Sequence, residues 1–128
     1  DYAHHPTEIK SVLKSLKVTS TGRKVVAVFQ PHRYSRLRSL KKDFASSFSN
    51  SDLVILCPVY SAGEKIDKKY DPVNFSKLIS QQSKVQVIMV KDEKNLKNFF
   101  NKNLINDEII VCMGAGSISK WIREMDLK

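Results

Sequence analysis

The feature that most constrains this chain is a strict alternation of short apolar runs with stretches whose apolar residues recur every three or four positions. Four runs, "KVVAVFQ" (24–30), "DLVILCPVY" (52–60), "KVQVIMVK" (84–91) and "EIIVCMG" (108–114), are rich in β-branched residues and apolar for most of their length. A strand with one wet face would alternate apolar with polar, so runs of this kind predict strands covered on both faces. Between them lie amphipathic stripes. Ile9, Val12, Leu13 and Leu16 mark a first helix, with Pro6 suited to its first turn. Leu37, Leu40, Phe44 and Phe48 mark a second over 35–48, and Phe75, Leu78 and Ile79 a third over 73–82. Stretches 93–104 and 117–125 complete the set. "SAGEKIDKKYDP" (61–72) is polar and turn-rich, and reads as a surface loop. Strands joined through helices predict an α/β fold: an open, mostly parallel, Rossmann-like sheet with helices on both faces.

The 128 residues have the length of one domain, 1–128, and no repeat or linker divides them. With 41% hydrophobic and 27% charged residues the chain lies outside the disordered range. No apolar run approaches the ~20 residues of a bilayer span, so no membrane partner is expected. Cys57 and Cys112 each sit inside an apolar run without metal-ligand spacing, and read as buried thiols suited to a reducing cytoplasm.

Net charge is +9, from 22 Lys and Arg against 13 Asp and Glu, which raises anionic partners. A basic module binding nucleic acid or another anion is the rival reading, carried by "PHRYSRLRSLKK" (31–42). No nucleic-acid-binding signature accompanies that run, and aromatic residues do not interleave with it as base stacking requires. A solvated surface accounts for the lysines elsewhere, and no nucleic-acid partner is expected.

In open α/β sheets ligands gather outside the carboxyl ends of the strands, and three polar stretches suit that edge. "DYAHHP" (1–6) precedes the first helix and concentrates Asp1, Tyr2, His4 and His5; carboxylate and imidazole together suit Mg²⁺ and phosphate chemistry, although two adjacent histidines are too few for a zinc site. "QPHRYSR" (30–36) comes after the first strand, with Arg33 and Arg36 three apart at the start of a helix, where two guanidinium forks can converge on one carboxylate or phosphate. "MGAGSIS" (113–119) comes after the last strand. Gly114 and Gly116 open like a dinucleotide fingerprint, but Ser119 stands where a third glycine belongs, which leaves a tight strand-to-helix turn as the other reading. A P-loop, G-x-x-x-x-G-K-[ST], does not occur in the chain.

Taken together, "DYAHHPTEI", "VFQPHRYSR" and "GAGSIS", in this order and spacing, resemble the C-terminal domain of the Mur ligases over essentially the whole chain. Within that family, Pro31 to Arg36 resembles the L-alanine-adding branch; murein tripeptide ligases share a similar start but carry a different arginine-containing segment. The resemblance implies a cytoplasmic bacterial ligase of peptidoglycan synthesis. It joins UDP-N-acetylmuramic acid to L-alanine, with ATP and Mg²⁺ as cofactors and an acyl-phosphate on the way. It further implies that an N-terminal UDP-binding domain and a central ATPase domain, absent from these residues, belong to the same chain, so that the 128 residues alone are inactive. By the same resemblance, Asp1 and Tyr2 contact the nucleotide, Asp1 and His4 stand at the reacting centre with His4 facing the metal, and His32, Arg33 and Arg36 hold the amino-acid substrate.

Overall fold

All six residues of β1 (Val25–Gln30) are buried, because a neighbour pairs with each edge and helices cover each face. The structure is a computed structural model and describes residues 4–103, 107–114, 118, 120 and 121. Within these, β1 lies inside a four-stranded sheet with β2 (Leu53–Leu56), β3 (Gln86–Met89) and β4 (Ile109–Gly114), in the order β3-β2-β1-β4. Every pairing is parallel: Val26 stands opposite Leu53, Leu53 opposite Gln86, and Val25 opposite Ile109. The chain therefore steps outward from β1 to β2 to β3, then returns to pair β4 with the other edge of β1. That reversal is a topological switch point, and the crevice between the carboxyl ends of β1 and β4 is where such sheets receive ligands.

The period of two along β1 sorts the core into two layers. Val25, Ala27 and Phe29 face α1 (Pro6–Thr19), α2 (Tyr34–Ser39), α3 (Lys41–Ala45) and α4 (Pro72–Ser83); Val26 and Val28 face α5 (Glu93–Asn103) and Ile118. Phe29 packs between Phe44 and Phe48, with ring centroids 5.4 and 5.2 Å away. Cys57 and Cys112 are buried, unpaired thiols on the second layer. Burial raises the pKa of both, that of Cys112 to about 11, so both stay protonated at neutral pH.

Local chemistry sets the helix ends. At α1, His5 is the N-cap: its Nδ1 accepts the Thr7 N–H at 3.2 Å, and Pro6 occupies the first turn, where no N–H is needed. At α4, Asp71 accepts from Val73 N–H at 3.0 Å and Pro72 is the next residue. The helix expected over 35–48 is broken at Leu40 (φ −115°, ψ 20°) into α2 and α3. The break lets Leu37, Phe44 and Phe48 all reach one core, with Phe48 beyond the last turn. The run 52–60 makes a shorter strand than its composition suggests, since β2 ends at Leu56, two residues before Pro58. β3 lies at an edge among the described strands and leaves Met89 43% exposed, so the expectation of cover on both faces does not hold for it. The stretch 61–72 is a loop without regular elements up to the first turn of α4, as expected. Of the helix expected over 117–125, only Ile118, Lys120 and Trp121 are described, and these are helical. No helix among the described residues is long and apolar enough to cross a membrane.

Candidate functional site

β1 ends at Gln30 because Pro31 has no N–H to continue the ladder. Residues 31–33 are held from across the sheet edge by Tyr60. The Tyr60 N–H donates to the Pro31 carbonyl at 2.9 Å, and the Arg33 N–H donates to the Tyr60 carbonyl at 2.8 Å. The rings of His32 and Tyr60 stack, with centroids 5.7 Å apart and planes 16° from parallel. Arg33 then takes φ 73°, ψ 136°, outside the regions open to side-chain-bearing residues at low cost. That turn of the backbone starts α2. Arg33 sits at its N-cap position but contributes no side-chain cap; the Ser35 N–H is instead met at 3.2 Å by Glu64, whose other carboxylate oxygen accepts from the Ser35 hydroxyl.

These constraints place His32, Arg33, Ser35, Arg36 and Ser39 around one open cavity of about 330 Å³ at the carboxyl end of β1. The two arginines singled out by spacing thus share a wall. The Nε of Arg36 is buried and has no hydrogen-bond partner among the described residues, a state that costs free energy unless an acceptor arrives. Arg38 points elsewhere and pairs with Asp67 at 2.9 Å. The basic run 31–42 is thereby divided: Arg33 and Arg36 line the cavity, whereas Arg38 is engaged at its side.

His32 titrates below its ordinary value, first because it is partly desolvated, then because Arg33, His4 and Arg36 disfavour a further positive charge; Glu64 opposes the shift. Glu64 titrates below the ordinary carboxylate range, chiefly through its hydrogen bond from the Ser35 hydroxyl, which outweighs the cost of desolvation. The interaction with His32 also places His4 in the electrostatic surroundings of the cavity. The adjacent histidines divide their work, since His5 caps α1 while His4 stands outside that cap.

Asp1 and Tyr2 lie outside the described residues, as do Gly116 and Ser119. Gly114 is described, at φ 101°, and a Cβ there would stand 1.9 Å from the Gln30 carbonyl oxygen. Only glycine lets β4 close on the end of β1 at this point, which accounts for Gly114 without a bound phosphate. No group of three or more His, Cys, Asp or Glu among the described residues is arranged to hold a metal ion.

Sequence reasoning missed Tyr60 and Glu64, both assigned to strand or loop without a role. The available signal was weak: Ala62 and Gly63 both have positive φ (51° and 91°) and Glu64 N–H donates to Ser61 O at 3.0 Å, a tight turn that the "AG" pair alone only hints at. A second cavity of about 570 Å³, with Tyr34 in its wall, lies over the ends of β2 and β3 and is walled mainly by apolar groups including Val59, Ile66, Tyr70 and Met89.

Comparison with known proteins bears on family and fold. Residues 1–116 match the family model described as "Mur ligase, glutamate ligase domain". The chain is 48% identical over 125 residues to the UDP-N-acetylmuramate–L-alanine ligase of Pelagibacter ubique, covering 98% of this chain and 27% of that one. It is 41% identical over 125 residues to the enzyme of the same name from Fusobacterium nucleatum, covering 98% and 26%. The chain spans about a quarter of the length of these curated relatives. Among solved structures, UDP-N-acetylmuramate-alanine ligase MurC of Thermotoga maritima superposes with a TM-score of 0.64 at 26% identity, over 96% of this chain and 24% of that one. A murein peptide ligase from Psychrobacter arcticus gives 0.72 at 16% identity, over 98% and 25%, a likeness of fold.

Proposed function

Since the chain belongs to the Mur ligase family, through the part described as its glutamate ligase domain, we propose that it is the C-terminal, amino-acid-binding domain of a ligase that joins L-alanine to UDP-N-acetylmuramic acid in bacterial peptidoglycan synthesis. ATP, with Mg²⁺, supplies the phosphoryl group that turns the lactyl carboxylate into an acyl-phosphate for the amine to attack. The part of this chain is to bring that amine to the reacting carbon. Arg33 and Arg36 hold the carboxylate of L-alanine in two-point fashion, which leaves its amine free and aimed. Such orientation contributes on the order of 7–11 kcal/mol to a two-substrate reaction when it is complete. His32, kept neutral near pH 7 by burial and the neighbouring cations, adds a hydrogen-bonding group without a competing charge. Asp1 and Tyr2 are proposed to contact the nucleotide, and Asp1 and His4 to stand at the reacting centre. His4 is further proposed to face the metal. UDP-sugar-binding and ATPase domains in the same longer chain, in the bacterial cytoplasm, complete the proposal.

The observation that carries this reading is the shared cavity of Arg33 and Arg36, with the buried Arg36 Nε lacking an acceptor among the described residues. In the longer ligase, Arg33→Ala is expected to raise the KM for L-alanine roughly 10- to 150-fold, the equivalent of a charged hydrogen bond of about 1.5–3 kcal/mol, and to leave the KM for ATP near its starting value. Equal rises in both constants would argue against the clamp. The 128 residues contain no P-loop, and on their own they are expected neither to hydrolyse ATP nor to ligate L-alanine.

A further inference from the structure

α2 begins with a problem that its own sequence does not solve. Its N-cap residue is Arg33, which has no side-chain acceptor for the first free N–H groups, and whose backbone sits at φ 73°, ψ 136°. Both deficits are met from the 60–64 segment. The Tyr60 carbonyl takes the Arg33 N–H, and the Glu64 carboxylate takes the N–H and hydroxyl of Ser35, which lies 29 residues away in sequence. The Ser61–Glu64 turn, with positive φ at Ala62 and Gly63, sets the distance between these two holding points.

We infer that Glu64 is a positioning residue for the Arg33–Arg36 clamp: it caps α2 from outside and, with the Tyr60 carbonyl, holds the Arg33 backbone in the conformation that brings both guanidinium groups to one cavity. The inference rests on the clamp as the amino-acid site, and supplies its missing support. Three further observations agree with it. Ser35, the residue Glu64 grips, lines the same cavity as the two arginines. The Arg33 charge and the Glu64 carboxylate sense each other, and so do Glu64 and His32. Without Glu64 the Ser35 N–H and hydroxyl lose their acceptor, and the unfavourable Arg33 backbone next to them has a lower-energy route away from the clamp geometry.

A Glu64 that acts through the two arginines contributes less once Arg33 is gone, and this is what the experiment reads. In the longer ligase carrying this domain, steady-state constants for L-alanine and ATP are measured for Arg33→Ala, Glu64→Ala, Glu64→Gln and the double variant Arg33→Ala with Glu64→Ala. Glu64→Ala is expected to raise the KM for L-alanine about 10-fold, with kcat and the KM for ATP within about twofold of the parent. Glu64→Gln keeps an acceptor for the Ser35 N–H and is expected to restore the constant to within about threefold. The double variant is expected to lose clearly less than the product of the two single losses, since only Arg36 remains to be positioned. Additive losses in the double variant, as a carboxylate contacting the substrate on its own account would produce, would overturn the inference, as would an equal rise in the KM for ATP or no effect of Glu64→Ala. Should Arg33→Ala itself leave the L-alanine constant unchanged, the clamp reading fails first and the inference falls with it. A response to Arg33→Ala without a response to Glu64→Ala refutes the positioning role alone.

Discussion

Replacing Arg33 by glycine should stabilise the domain relative to replacing it by alanine, the reverse of what that comparison gives at most positions. At φ 73°, ψ 136° a residue with a Cβ carries a backbone cost of about 1–3 kcal/mol. Glycine escapes that cost but loses more chain entropy on folding, about 0.5–1 kcal/mol relative to alanine. The difference favours glycine by about 0–2.5 kcal/mol, centred near 1 kcal/mol. Both variants remove the guanidinium and its repulsion with Arg36, so charge cancels from the comparison. For a domain of 128 residues, where 1 kcal/mol moves Tm by roughly 3–5 °C, the central value puts the glycine variant about 3–5 °C above the alanine variant. Thermal unfolding measured by circular dichroism in the same buffer reads this directly. A glycine variant that melts at or below the alanine variant would refute the reasoning, because it would mean that Arg33 is not strained. Both variants should share the loss of L-alanine affinity, so that the more stable of the two is still a poor binder. That outcome would show strain being held at the site for the sake of geometry.

Two further perturbations test other parts of the structure. Ser83 is buried, accepts the Phe48 N–H at 3.0 Å and donates to the Ala45 carbonyl at 2.6 Å, so it ties the end of α3 to α4. Ser83→Ala leaves the Phe48 N–H unmet and should cost about 1–3 kcal/mol in urea unfolding, with an unchanged m-value; a loss below about 0.5 kcal/mol would contradict the assignment. His32 should titrate below its ordinary 6.5 by NMR, and Arg33→Ala should move the midpoint up. As pH falls through 6.5 the unfolded chain takes up this proton before the folded one, so stability declines between 6.5 and the folded midpoint and levels off below it. A midpoint at or above 6.5, or one indifferent to Arg33, would remove the electrostatic account of the cavity.

Much of this molecule is determined by the order of its residues. The apolar runs that became β1, β2 and β4 carry the sheet, because strands buried on both faces require such continuity, the run of β3 adds a less covered edge, and the intervening stripes of three- and four-residue spacing leave helical crossovers as the way to join them. The same pattern places Arg33 and Arg36 after the first strand, and the rule that ligands lie at the carboxyl edge of such sheets then singles them out. Residue order did not show that Leu40 divides a helix, since the stripe from Leu37 to Phe48 runs unbroken through it and only the packing of Phe44 and Phe48 on Phe29 calls for the bend. Nor did it distinguish Gly114 as a sheet contact from Gly114 as a phosphate-binding glycine, which depends on how near the Gln30 carbonyl comes. The largest gap is Glu64. Its work is a hydrogen bond to Ser35, and the chain between them includes β2 and a crossover. Local periodicity records which face of an element is buried, whereas a contact made across the sheet edge exists only once the strands have paired. Tertiary structure alone therefore decided that two arginines three residues apart share one cavity, and that a loop carboxylate holds the backbone beneath them.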